Sequence, residues 1–458
     1  MTDTTGTETA SPVAAETLGM ISWRQRRLVG CVALWLSCWA VAAKAQYGPM
    51  LTGAGPINRS IAGASTALPL DTLGAFLWNP ATLTALPNSA DMALEVFMPY
   101  AALSSEVDAG AFGPGVPPQQ LAGRTASESG AFPIPNFGFV YRPDDSKMSY
   151  GVGLMTLAGF GVNYPGSASN PLVSPNPPRG FGVGPIFSQY IMLQIAPTLA
   201  YQVNDRLSVS FSPLINIASL AVDPGILASP DMRGGQPVYP PLTHTGYHWG
   251  GGFMFGGWYQ TDYDIDLGIS YRSLQSFIPF QYASRTPGGE ARTINFLVDA
   301  PPVLSLGAAY RGFEKWRLSC DLRYLNFQST PPYSEAGFTP EGGVKGLDTA
   351  DMFAVATGAQ YSLSEATRLR MGYSYNTKPI GSDQAFANVA SPFVMQHALT
   401  MGGTYDISDR FNVSVAYVHF FRGSVSGPWQ SPRGPIPGTR VTSDLSADGI
   451  DVGVGFKY

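Results

Sequence analysis

The stretch Leu193-Gln194-Ile195-Ala196-Pro197-Thr198-Leu199-Ala200-Tyr201, followed by Gln202-Val203-Asn204-Asp205-Arg206, decides the fold. Period two puts Leu193, Ile195, Pro197, Leu199 and Tyr201 on one side of a strand, with Gln194, Ala196, Thr198 and Ala200 on the other. One face is aliphatic and ends in an aromatic ring; the other is small or polar. A sheet with lipid outside and water inside needs such a pair of faces. The same unit, a strand ending on tyrosine before a short polar turn, recurs at Tyr141, Tyr259, Tyr310, Tyr361 and Tyr405. After Tyr259, Ile265, Leu267, Ile269 and Tyr271 again oppose Asp266, Gly268, Ser270 and Arg272.

Successive tyrosines lie 60, 58, 51, 51 and 44 residues apart. A membrane strand takes roughly 9–11 residues, so each interval holds two strands and a long distal loop. Six turns join twelve strands, and one strand at each end, over Asp91–Met98 and Ile450–Tyr458, makes fourteen. The expected fold is an all-β, 14-stranded antiparallel transmembrane barrel. Its tyrosine turns are expected in the periplasm. Extracellular loops are expected near residues 110–125, 165–185, 225–240, 280–300, 330–350, 380–395 and 425–445.

Composition agrees. Charged residues are 13% of the 458, against about 25% in soluble domains. After the leader no run of 18 apolar residues exists, which excludes helical spans. A net charge of −5 argues against nucleic acid as a partner. Arg24, Arg26 and Arg27 precede the apolar run 28–43, closed by Ala43-Lys44-Ala45; this predicts a cleaved signal peptide over residues 1–45. Cys31 lacks an apolar run before it, so no lipid anchor is expected, and cleavage would leave Cys320 alone.

Residues 46–88 do not alternate. Phe76, Leu77, Trp78 and Leu83 make the segment too apolar for a solvated arm. It is expected to pack inside the lumen as a hatch, with the barrel over 89–458. Pro80 can open a helical turn after Asn79. The glycine- and alanine-rich opening and Trp78-Asn79-Pro80-Ala81 resemble the hatch of the FadL/TodX family of outer-membrane transporters, which carries an Asn-Pro-Ala motif. The resemblance covers the whole chain after the leader and includes the segment from His397 to Tyr417. One departure is the terminal Tyr458, where the family usually ends on phenylalanine.

The resemblance implies uptake of hydrophobic compounds across the bacterial outer membrane, long-chain fatty acids first, aromatic hydrocarbons or other lipids as the alternative. It further implies lateral release where the third strand kinks. Here that strand carries Gly159, Phe160 and Gly161, and glycine permits a bend. A plugged porin without specific binding is the rival class. Expected surroundings are outer-membrane lipid, lipopolysaccharide and the barrel assembly machinery.

No hydrolase or nucleotide motif is present, so neither an enzyme nor a cofactor is expected. His244 and His248 have metal spacing but no third ligand nearby. Two groups are candidates for substrate binding. Phe277, Ile278 and Phe280 form an apolar cluster in a loop, near Arg285 and Arg292, whose guanidinium groups suit a carboxylate. Arg317 and Arg323, with Asp321, alternate along the ninth strand; they read either as a bracing network or as a carboxylate attractor.

Overall fold

The structure is a computed structural model and describes residues 47–458 except 178, 234 and 235. The expected signal peptide and its cysteines lie outside the described residues. Fourteen long strands form the wall: β1 Ser89–Val107, β2 Phe132–Tyr141, β3 Met148–Tyr164, β4 Ile186–Gln202, β5 Leu207–Asp223, β6 His248–Gln260, β7 Ile265–Arg272, β8 Val303–Tyr310, β9 Trp316–Leu325, β10 Met352–Ser362, β11 Thr367–Asn376, β12 His397–Asp406, β13 Phe411–Gly427 and β14 Thr439–Lys457. Each pairs antiparallel with its sequence neighbours, and β14 pairs with β1, from Ser89 opposite Lys457 to Val107 opposite Thr439. The ring of strands is thereby closed.

The alternation holds. Met92, Leu94 and Val96 of β1 are exposed, Met92 to 58%, while Glu95 between them is fully buried. Leu267, Ile269 and Tyr271 point outward on β7 and Asp266, Ser270 and Arg272 point inward. The six tyrosine turns are four to six residues long and the seven opposite loops 11 to 30. The last loop spans only residues 428–438, shorter than expected, because β13 and β14 continue their ladder past Gly423 and Leu445.

Residues 47–88 lie within the ring of strands. They contain a short helix, α1 (Gly55–Ser60), a second, α2 (Thr72–Trp78), and a 3₁₀ turn at Pro80–Ala85. Asp71 caps α2 by accepting from the Gly74 N–H. Asn79 caps the 3₁₀ turn, accepting from the Ala81 N–H, with Pro80 at its first position. Inward glycines leave room for this segment: a Cβ on Gly268 would stand 2.0 Å from the Thr66 carbonyl oxygen, and one on Gly372 2.3 Å from the Ile61 carbonyl carbon.

Candidate hydrophobic passage

Polar contacts fix the N-terminal segment to strands on every side of the barrel. Arg59 is ion-paired with Glu95 of β1 and donates to Thr52 Oγ1 at 2.8 Å, all three groups being buried. Asp321 of β9 accepts from the Thr66 N–H and hydroxyl at 2.9 and 2.7 Å. Arg323 bonds Asp321 and the Gly63 carbonyl, each at 2.6 Å, and its guanidinium carbon sits 3.5 Å from the centroid of the Trp78 ring. Arg272 of β7 donates to the Leu77 carbonyl at 2.6 Å. The Asn79 amide donates to Thr66 O and, across to β6, to Gly257 O at 2.7 and 2.9 Å. Buried charges are tolerated only when paired and hydrogen-bonded: Arg59–Glu95 pairs segment with wall, and the Asp321–Arg323 pair within β9 hydrogen-bonds the segment from both of its members.

On one side the wall is incomplete. β2 pairs with β3 only from Tyr141–Tyr150 to Asn136–Met155. Beyond that, Phe132–Pro135 and Thr156–Tyr164 share no ladder. The sequence supplies the reason. The Pro135 carbonyl points toward β3, where it accepts from the Thr156 hydroxyl. A residue in an antiparallel strand aims both its backbone groups at one neighbour. Pro135 and, two residues on, Pro133 therefore withhold the N–H groups that would have continued the pairing. A bulge at Leu157 then shifts β3 against β4 between Thr156 and Ala158.

The bulge also inverts the alternation. Past it, Ala158, Phe160 and Val162 oppose the inward residues Met192, Tyr190 and Ser188, so Gly159 and Gly161 lie on the outward side. Their missing side chains thus thin the outer face of the gap. A Cβ on Gly161 would meet Phe132 Cζ at 3.1 Å, across the opening. On the inner side Pro49–Leu51 bridges the freed edge: Gly159 N–H donates to Pro49 O at 2.9 Å and Leu51 N–H to Leu157 O at 3.0 Å.

At this place lies a cavity of about 260 Å³. Its walls include Met50, Phe97, Phe160, Tyr190, Phe393 and Met395, with Gly159, Gly161 and Pro133 toward the outside. Thr52, Thr156 and Gln189 are polar; none of the lining side chains is charged. On the outer face, toward the short-turn end, an apolar groove of about 620 Å³ passes over Leu94, Phe137, Leu154 and Leu193, and it reaches Asn136 and Met155, where the β2–β3 ladder stops.

Gly159, Phe160 and Gly161, the lateral-exit candidates, therefore come together at the cavity, while the substrate-binding candidates do not. Phe277 and Phe280 are buried against each other, 5.9 Å between centroids, and Ile278 is exposed. Arg292 is spent on a two-pronged bond to Asp231, 2.8 Å for each prong, and Arg285 on the Gly289 carbonyl. Arg317 donates to Phe313 O at the short-turn end, and Arg323 serves the N-terminal segment. Asn79, Pro80 and Ala81 lie deep in that segment and do not line the cavity. Sequence reasoning missed Pro49–Thr52, Tyr190 and the loop residues Phe393 and Met395. The apolar run Pro392-Phe393-Val394-Met395 and the prolines inside β2 were the available signals.

The family model for outer-membrane protein transport proteins (OMPP1/FadL/TodX) matches residues 34–458. The chain belongs to this family. Family membership makes the barrel an outer-membrane transporter of hydrophobic compounds. Among solved structures, the Pseudomonas putida toluene transporter TodX superposes with a TM-score of 0.62 at 18% identity, covering 89% of this chain and 99% of its own. The Ralstonia pickettii toluene transporter TbuX gives 0.59 at 19%, with the same coverage. A Pseudomonas aeruginosa FadL homologue gives 0.64 at 14%, covering 90% and 99%. At these identities the likeness is one of fold. No curated protein matches the chain.

Proposed function

We propose that this member of the family carries small uncharged hydrophobic molecules, of the size of a single aromatic ring or a short hydrocarbon, and releases them sideways through the β2–β3 gap. The carrying observation is the cavity of about 260 Å³ at that gap, with no charged side chain in its lining. An apolar cavity of about 150 Å³ accepts benzene, so one ring fits with room to move. Each buried methylene contributes about 0.8 kcal/mol, enough for extraction from water without an energy source. Residues 47–88 act as the hatch. The Arg59–Glu95 ion pair and the hydrogen bonds to Asp321, Arg323 and Arg272 hold it against the wall, and an apolar solute gains nothing by displacing them, so the way down the lumen is closed. The six short turns face the periplasm and the seven long loops the exterior.

A fatty acid is the rival cargo. Its carboxylate would need a partner, and Arg292, Arg317 and Arg323 are engaged elsewhere, while Arg285 sits on an exposed hairpin. The toluene transporters among the solved relatives agree with a neutral cargo, though at 18–19% identity the argument rests on the cavity. The test is uptake by cells expressing the barrel. Toluene should enter faster than in cells lacking it, and benzoate or laurate should not. Uptake of laurate without toluene would reverse the assignment.

A further inference from the structure

Toward the long-loop end the cavity is closed by the rings of Phe160, Tyr190 and Phe393. Phe160 stacks on Tyr190 at 5.3 Å and meets Phe393 edge-on at 5.7 Å. Behind Phe160 and Phe393 is a second, narrow cavity of about 50 Å³, which these two rings share with Tyr333, Leu347 and Ala387. Leu347 and Ala387 in turn form the inner wall of a third cavity, of about 360 Å³, among the β9–β10, β11–β12 and β13–β14 loops. Its other walls include Phe338, Val344 and Phe386, and its rim carries the exposed Asp348 and Asp383. The three spaces thus share walls in series, from the loop surface to the gap beside β3.

We propose that the third cavity, between residues 336–348 and 383–387, is the port through which uncharged hydrophobic cargo enters. Three observations support it. The port has apolar walls for the cargo and a wall in common with the narrow cavity, which leads to the transport site. Its lining holds two carboxylates and no lysine or arginine, so it repels an anionic amphiphile and leaves a neutral one unaffected. The competing entrance, under the β7–β8 loop, is filled: Phe280 and Tyr282 are fully buried, and Tyr282 stacks on Phe296 at 5.0 Å. Passage inward then requires Phe160 and Phe393 to swing aside, rotations of two rings with no buried charge to break. This assignment rests on the reading of the β3 cavity as the transport site.

The test places a removable block at the shared wall. Ala387→Cys, in the full-length protein on intact cells, is modified with a bulky methanethiosulfonate, with the wild type treated in parallel as the control for Cys320. Initial toluene uptake should fall several-fold only in the variant and return on reduction with dithiothreitol. Leu347→Trp, which needs no labelling, should show the same loss at normal surface level. Toluene binding by the labelled variant in nanodiscs should be unchanged, because the cavity stays reachable through the gap. Unchanged uptake after labelling confirmed by mass spectrometry would overturn the port, as would loss of binding in nanodiscs. Gly161→Trp measured alongside separates the two levels. If it stops uptake while the label does not, the port alone is wrong; if neither does, the β3 passage is wrong as well.

Discussion

Arg323 ties the N-terminal segment to the wall at three points, Tyr47, Gly63 and Trp78. Its guanidinium covers the Trp78 ring, meets the Tyr47 hydroxyl at 3.0 Å and pairs with Asp321, with both charges buried. Removing one member of a buried pair costs about 3–5 kcal/mol because the other is left uncompensated. Arg323→Ala should therefore lower stability by that order, read by denaturant unfolding of the purified barrel. Arg323→Lys should recover only part, since a point charge cannot stack and fork at once. Asn79 is the second such residue. Asn79→Ala orphans the carbonyls of Thr66 and Gly257, at about 1–3 kcal/mol each; the barrel should still reach the surface, with uptake altered. Unchanged uptake at normal surface level would make the motif structural only. Asp299, in the β7–β8 loop, accepts from the Phe277 N–H at 2.9 Å, and burial raises its carboxyl above the usual range. A raised pKa means the folded loop binds the proton more tightly than the unfolded one. Its stabilising effect is complete below the ordinary aspartate range and is lost as pH rises through the folded value. Limited proteolysis of this loop should quicken across that window in the wild type and stay flat in Asp299→Asn.

At the scale of elements, the strands were legible because each has one face in lipid and one toward the hatch. Period two then recurs with little interference, and the tyrosine turns fix the count. The parity of β3 was not legible. Unbroken alternation from Gly151 and Gly153 would put Gly159 and Gly161 on the inner face; the bulge at Leu157 turns them outward, and a one-residue insertion leaves no mark in an alternating pattern of small residues. The gap itself was half-written: Pro133 and Pro135 inside a strand announce missing donors, but only the register shows which neighbour loses them. The loop candidates failed for a different reason. Phe277 and Phe280 were apolar enough to bind cargo, and the fold used them to fill its own core. Arg292 found Asp231 some sixty residues away in sequence, a pairing that no local pattern reveals. Restoring donors gives a prediction at this scale. Pro133→Val with Pro135→Val should extend the β2–β3 ladder, slow amide exchange over residues 156–162 and reduce uptake. Fast exchange there in the double variant would show that the prolines do not make the gap.

The whole molecule has a fixed part and, on the reading proposed above, a passable one. The laddered part of the wall and the N-terminal segment bonded to it form a barrier that neither water-soluble nor apolar solutes have reason to cross. The proposed seam from the loops to the β2–β3 gap, uncharged once past the acidic rim at Asp348 and Asp383, offers a route into the lipid, continued outside by the groove over Leu154 and Leu193. The fold follows from repetition along the chain, and the family from the non-repeating segment with Trp78-Asn79-Pro80-Ala81 ahead of it. The route depends on contacts among Pro49–Leu51, Phe393 and β3, which are distant in sequence and visible only once the barrel is closed. Orientation can be checked on intact cells: a tag at Pro117 or Pro435 should be labelled from outside, and one at Asp205 should not. The central claim is lateral passage at β3, and the most direct measurement is toluene uptake by cells carrying Gly161→Trp at wild-type surface level. An indole there must occupy the opening opposite Phe132, so uptake should fall to that of cells without the barrel, while Gly161→Ala retains most of it. Wild-type uptake by Gly161→Trp would contradict the account.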